Sequence, residues 1–315
     1  MSDEPAAPSA GGSQLSKPRI VDVRRRRPKI IRLVLVVVLA IALVVGIIVL
    51  ARGPARVAMT GVQIIPPDHC LAVANTYSGD MTPEQAGNAA IIVGEAIQRG
   101  LPARAATIAI VTALQESGLR NLNYGDADSL GLFQQRPSQG WGTTDQIMDP
   151  WYSAGKFYDA LVKVPDWQTA DIGAVAQAVQ RSAFPDAYAK HESAGRAIAS
   201  VLTGETPAGL RCVANDGQGG GGDELTALLA EIWGNTITVT PGTDEATGAN
   251  TITVTTPDET TAWAVAQISM AQLAAYGLAS VQVGDQNWTD QADDLAEWAP
   301  SRASALDDTV VVTLR

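Results

Sequence analysis

Residues 113–134 read Ala-Leu-Gln-Glu-Ser-Gly-Leu-Arg-Asn-Leu-Asn-Tyr-Gly-Asp-Ala-Asp-Ser-Leu-Gly-Leu-Phe-Gln. The run leading into them, Ala105-Ala106-Thr107-Ile108-Ala109-Ile110-Val111-Thr112-Ala113-Leu114, is apolar almost all round, which predicts a buried central helix. That helix ends at Gln115-Glu116-Ser117, and Gly118 suits the left-handed position that closes a helix. A carboxylate in the last turn faces the negative end of the helix dipole, which costs about 0.3–1 kcal/mol when exposed. Such local conflicts are expected at functional sites. The same field, together with burial against apolar neighbours, raises a glutamate pKa toward neutrality. Glu116 is therefore a candidate general acid.

Working outward, Thr82-Pro83-Glu84-Gln85 has the pattern of a capping box with proline at the first helical position, and Ala86, Ala89, Val93 and Ile97 share one face before Gly100. The central helix begins at Pro102. After Glu116 the sequence has turn chemistry as far as Ser129, so an irregular lobe with a short hairpin is expected opposite the helix end. Asp149-Pro150 opens a third helix with Ala154, Tyr158 and Leu161 on one face. Residues 169–182 form a fourth, with Ile172, Val175, Ala176 and Val179 inward, and Pro185 opens a fifth that runs to Leu202. The expectation is one helical domain over residues 70–212.

Glu116-Ser117-Gly118 followed by Ser129-Leu130-Gly131-Leu132-Phe133-Gln134 resembles the Glu-Ser and Gly-Leu-(Met/Phe)-Gln motifs of lytic transglycosylases and goose-type lysozymes. The Asp149-Pro150 helix, with Gly155 and Tyr158, is similar to the helix that follows in that superfamily, and the likeness is greatest to actinobacterial membrane-anchored versions of the fold. It covers roughly residues 70–203. What the resemblance implies is a lysozyme-like domain that cleaves peptidoglycan, with Glu116 as catalytic acid, Ser117 orienting it and Gln134 lining the sugar cleft. The Ala-Tyr-Asn signature of the transglycosylases is not obvious. Ala176-Gln177-Ala178-Val179-Gln180-Arg181-Ser182 stands in its place, with Gln180 as the counterpart.

Cleaving a β-1,4 bond between N-acetylmuramic acid and N-acetylglucosamine needs a proton for the leaving oxygen and stabilisation of an oxocarbenium-like centre. Glu116 supplies the proton. If Asp126 or Asp128 holds a water on the opposite sugar face, the bond is hydrolysed with inversion; if neither does, the muramic 6-hydroxyl closes on the anomeric carbon to give a 1,6-anhydro product. Capping or turn formation is the plainer role for both aspartates. Trp141, between two glycines, is the better candidate for stacking on a sugar, whereas Trp151 reads as core. Tyr188 either lines the cleft or packs, and Arg120, Asn121 and Asn123 either touch substrate or are simply solvated.

Residues 1–32 form a cytoplasmic disordered tail, rich in Ser, Ala, Gly and Pro at its start. Nineteen uncharged residues, 33–51, follow, and at about 1.5 Å per residue they span roughly 28 Å, close to the ~30 Å hydrocarbon core. Residues 33–52 are thus read as a transmembrane helix; the run is longer than a signal peptide's apolar region, and Ala55-Arg56-Val57-Ala58 lacks the spacing of a cleavage site. Arg24 to Arg27 and Lys29 place the N-terminus in the cytoplasm and the rest outside, after a linker over 53–69. Cys70 and Cys212 are the only cysteines; in an oxidising compartment they read as one disulfide, the alternative being two unpaired thiols. With His69 and His191 the only histidines, no metal site is expected, and no cofactor is implied.

A glycine-rich linker, 213–222, leads to an acidic α+β accessory domain over 223–315. Its elements read as a helix from Asp223 to Trp233, strands at 235–240 and 250–255, a helix from about Glu259 to Tyr276, and strands from Ala279 and Thr309. The hexapeptide Asn-Thr-Ile-Thr-Val-Thr occurs in both strands, which suggests an antiparallel pair. This segment has fourteen acidic groups against Arg302 and Arg315, so nucleic acid is excluded as a partner. A protein-docking or spacing role in an envelope or conjugation apparatus fits it better. The overall expectation is a mainly α lysozyme-like domain plus a small α+β C-terminal domain, preceded by one transmembrane helix. The competing expectation is an inactive lysozyme-like module that binds glycan strands as a scaffold.

Overall fold

A computed structural model of the chain describes residues 68–181, 187–214, 221–291, 294–301 and 305–315. The expected transmembrane span at 33–52, the start of the fifth helix at Pro185 and most of the glycine-rich linker lie outside them. No helix among the described residues is long and apolar enough to cross a membrane. All of them belong to one compact unit, Ile64–Arg315.

The helices begin where their capping chemistry dictates. In α1 (Pro83–Gln98) the Thr82 hydroxyl accepts from the Gln85 N–H, and the Gln85 side chain accepts from the Thr82 N–H, so both halves of the capping box are made. Helix α2 (Ala103–Glu116) is buried continuously from Ala105 to Ala113. Around it pack α1, α4 (Pro150–Leu161), α5 (Ile172–Gln180) and α6 (Glu192–Leu202), with a short α3 (Thr144–Met148) preceding α4. Asp149 caps α4 through bonds from the Trp151 and Tyr152 N–H groups, and Asp171 caps α5.

The class is mixed rather than mainly α, because two antiparallel sheets accompany the helices. Strands β1 (His69–Ala74) and β2 (Tyr77–Met81) form a hairpin inside the region read as linker and domain start, and β3 (Leu210–Val213) joins the other edge of β1. In that register Cys70 faces Cys212, and the two form a disulfide. The second sheet has the order β4-β5-β9-β6-β7-β8, with β4 (Thr238–Thr243), β5 (Asn250–Thr255), β6 (Leu278–Val283), β7 (Gln286–Thr289), β8 (Ala299–Pro300) and β9 (Thr309–Leu314). The antiparallel pair forms, but Thr238 lies opposite Thr255, so β4 starts three residues later than expected: only Thr238, Val239 and Thr240 of the first hexapeptide pair with the second, and the start of the first copy lies in a 3-10 turn. In β9, Val310, Val312 and Leu314 point inward while Val311 and Thr313 face outward, the alternation of a sheet covered on one side.

The cover on that side is α8 (Glu259–Ala271), capped by Asp258 and buried on every face from Ala262 to Ala271. It packs on β6 and β9 and also against α1, α6 and β3. Gln267, fully buried, accepts from the N–H groups of Gly209 (2.8 Å) and Leu210 (2.9 Å) and donates to the carbonyls of Val201 (2.7 Å) and Thr206 (3.1 Å). Helix α7 (Gly222–Trp233) sets Ile232 against Gly94, and α9 (Leu273–Tyr276) completes the layer. The acidic half is thus seated on the helical half by an apolar and hydrogen-bonded contact.

Candidate active site

The end of α2 is locked from three directions. Ser117 is the C-cap, Gly118 (φ 65°) and Leu119 (φ 59°) turn left-handed, and the Leu119 N–H returns to the Ala113 carbonyl. Their carbonyls are satisfied by α1, where Gln85 donates to Gly118 (2.7 Å) and Asn88 to Leu119 (2.8 Å). Gln85 therefore both caps its own helix and holds the turn after Glu116.

The Gly131-Leu132-Phe133-Gln134 loop is fixed as firmly. The buried Ser117 hydroxyl donates to the Leu132 carbonyl (2.7 Å), Gln180 donates to the Phe133 carbonyl (2.8 Å), and the Phe133 ring stacks on Phe157 at 4.7 Å. Gly131 is required, because a Cβ there would sit 2.7 Å from the Ile147 carbonyl at a φ of 76°. The expected hairpin reduces to isolated bridges, Leu122 with Gly131 and Leu130 with Gln135. Two of these clamps come from residues to which the family resemblance gave a place at the site, Ser117 as the residue orienting Glu116 and Gln180 as the counterpart of the Ala-Tyr-Asn signature. Ser117 is buried and spent on the loop backbone, and Gln180 holds Phe133 while also bordering the cleft.

The cleft over this loop has a volume of about 360 Å³ and brings Glu116, Asp126, Gln134, Trp141 and Gln180 together. Arg136, Gln139 and Arg181 also border it and were not singled out from sequence. Behind Glu116, the fully buried Tyr188 donates its hydroxyl to Glu116 Oε1 at 2.6 Å. Burial pushes the Glu116 carboxyl above its ordinary value of 4.5, and the Tyr188 hydrogen bond opposes part of that rise. Tyr188 is thus a partner of the acid, 72 residues away in sequence.

Asp128 does not border the cleft. It accepts from Arg136 (2.8 Å), the Ser138 N–H (2.8 Å) and the Ser138 hydroxyl (2.9 Å), and these donors hold its carboxyl down at about 2. Trp141 is half-buried at the cleft edge, whereas Trp151 packs its ring against Gly94. Arg120 bonds back to the Ser117 carbonyl, and Asn121 donates to the Met148 carbonyl. Among the described residues no group of His, Cys, Asp and Glu is arranged to hold a metal ion. The arrangement provides the Glu116 and Asp126 carboxyl groups at one groove, with a flanking aromatic ring and amide side chains. No protein-family model matches the chain, and no curated protein shows significant similarity to it.

Proposed function

We propose that the protein is a membrane-anchored, peptidoglycan-cleaving glycosidase, a lytic transglycosylase or muramidase, acting on the β-1,4 bond between N-acetylmuramic acid and N-acetylglucosamine. The observation that carries this reading is Glu116, a half-buried carboxyl with its pKa raised by burial, standing at a groove beside the Gly131 to Gln134 loop. A raised pKa favours the protonated form that can donate to the leaving oxygen. Tyr188, whose hydroxyl bonds to Glu116, supports the same reading by holding the acid in place, and Gln180 borders the same cleft.

For the second role, Asp126 is the carboxylate that borders the cleft, while Asp128 is committed to Arg136 and Ser138. Water held by Asp126 yields reducing ends, and ring closure by the muramic 6-hydroxyl yields anhydro ends. The basic run at Arg24 to Arg27 before the uncharged stretch supports a cytoplasmic N-terminus, and the Cys70–Cys212 disulfide supports an oxidising compartment for the rest. The acidic half, seated on the helical half, is the surface for an envelope-complex protein.

The test is incubation of the full chain, in detergent, with purified peptidoglycan. Wild type is expected to release soluble fragments and Glu116→Gln is not; equal release from both sinks the proposal. Mass spectrometry separates the two products, which differ by one water, and Asp126→Asn is expected to abolish only the hydrolytic one. Binding without release identifies the inert glycan-binding scaffold instead.

A further inference from the structure

The Glu116 cleft does not end at Trp141. A second hollow of about 780 Å³ shares Gln139, Trp141, Gln180 and Arg181 with it and continues along Lys163, Val164 and Pro165, so the two are successive stretches of one groove. None of the residues bordering this extension is acidic, in a chain whose net charge is -11. Its two cations, Lys163 and Arg181, are exposed, and neither makes an ion pair among the described residues. Arg136, the other cation bordering the Glu116 cleft, is by contrast held by Asp128 at 2.8 Å. Arg181 also closes α5 in the left-handed region, at φ 54°, where glycine or asparagine is unstrained.

Resting on the glycosidase reading above, we propose that Lys163 and Arg181 form an anion-selecting subsite, which takes a carboxylate borne by the glycan strand where the strand runs on from the Glu116 cleft along Trp141. The strand would lie across Trp141, with its bond at Glu116 and its acidic substituent on the two cations. The carboxylate is either the lactyl group of a bare muramic residue or one on the peptide attached to it. Neutral chitin-type strands lack both.

The test measures binding of soluble strands to the full chain in detergent, in a Glu116→Gln background that blocks turnover. Three probes are used: peptide-bearing strands, strands stripped of peptide by an amidase, and chito-oligosaccharides. Lys163→Gln with Arg181→Gln keeps side-chain length and is expected to weaken binding of carboxylate-bearing strands about five- to tenfold, the sum of two solvent-exposed charge contacts. Chito-oligosaccharide binding is expected to be unchanged, and the difference to vanish in about 1 M salt. Tight binding of stripped strands assigns the lactyl carboxylate; tight binding of peptide-bearing strands alone assigns the peptide. The proposal is overturned if wild-type side chains at 163 and 181 show no preference for acidic strands, if no strand binds, or if the double substitution lowers only the melting temperature, as a purely helix-capping role would. Release of fragments by the unsubstituted enzyme with no effect of the double substitution removes the subsite and leaves the glycosidase. Selective binding without release from the unsubstituted chain does the reverse.

Discussion

At the scale of single residues, Glu116 is pulled in two directions. Burial favours its neutral form and Tyr188 favours its charged form, with burial the larger effect. A buried acid of this kind is a liability for stability at neutral pH. Because its folded pKa lies above the ordinary 4.5, the stability associated with its protonated form is fully present below about pH 4.5 and is lost as pH rises through the folded value. Glu116→Gln should therefore melt higher than wild type at pH 7 and equally at pH 4, while losing about 10² to 10⁴ in cleavage rate. A lower melting temperature at pH 7 would show that the carboxylate is structurally required. Tyr188→Phe removes the hydrogen bond that stabilises the charged form, so the Glu116 pKa rises further. The alkaline limb of the pH–rate profile, set by loss of the Glu116 proton, is then expected to move to higher pH, as kinetics on soluble strands would show; a shift to lower pH contradicts the assigned role. Glu116 was legible in sequence because a lone acid at the end of an apolar helix is a local anomaly. The contact with Tyr188 was not, since it joins positions that only the packing of α6 and its preceding turn brings together.

At the scale of elements, what could be read in advance is what the chain encodes locally. The Thr82 capping box, the Asp149-Pro150 start and the Asp258 cap each satisfy their own helix within three residues, and all three helices begin where expected. The three-stranded sheet was missed for the opposite reason. Strand β1 pairs with β3 through His69 and Val213, and no local period announces a partner so remote; the two cysteines were the one signal that these segments meet. The seating of α8 was hidden in the same way. Gln267 had no role that a local pattern could announce, yet it is fully buried and serves Gly209 and Leu210. Replacing it with leucine leaves two buried N–H donors without their acceptor, each costing about 1–3 kcal/mol. Gln267→Leu is therefore expected to lose about 2–6 kcal/mol in urea unfolding. A change under about 0.5 kcal/mol would mean that water takes over both donors, since that is the range of substitutions away from structural features.

Across the whole unit, the expected glycine-rich linker and the observed packing make opposite demands on unfolding. Two halves on a free tether unfold independently, whereas halves joined through α8 share one core and should lose it together. The interface favours the second behaviour: Gln98 donates to the Glu231 carbonyl (2.7 Å), the Trp298 indole to the Leu210 carbonyl (3.0 Å), Arg211 pairs with Glu297 (2.7 Å), and Gly204 meets the backbone of Thr260 so closely that no side chain fits. The disulfide lies on the helical side alone, spanning 142 residues, and by the chain-entropy account a loop of that size contributes up to about 5 kcal/mol. Reduction should thus destabilise the helical half directly and the acidic half only through the interface. Hydrogen exchange resolved by peptide, followed through a urea series, reads both at once. The amides of α2 and of β6 and β9 are expected to open at one common midpoint, and reduction is expected to lower that midpoint for both. If reduction shifts α2 while β6 and β9 stay where they were, the two halves are energetically separate and the contact through Gln267 is too weak to couple them.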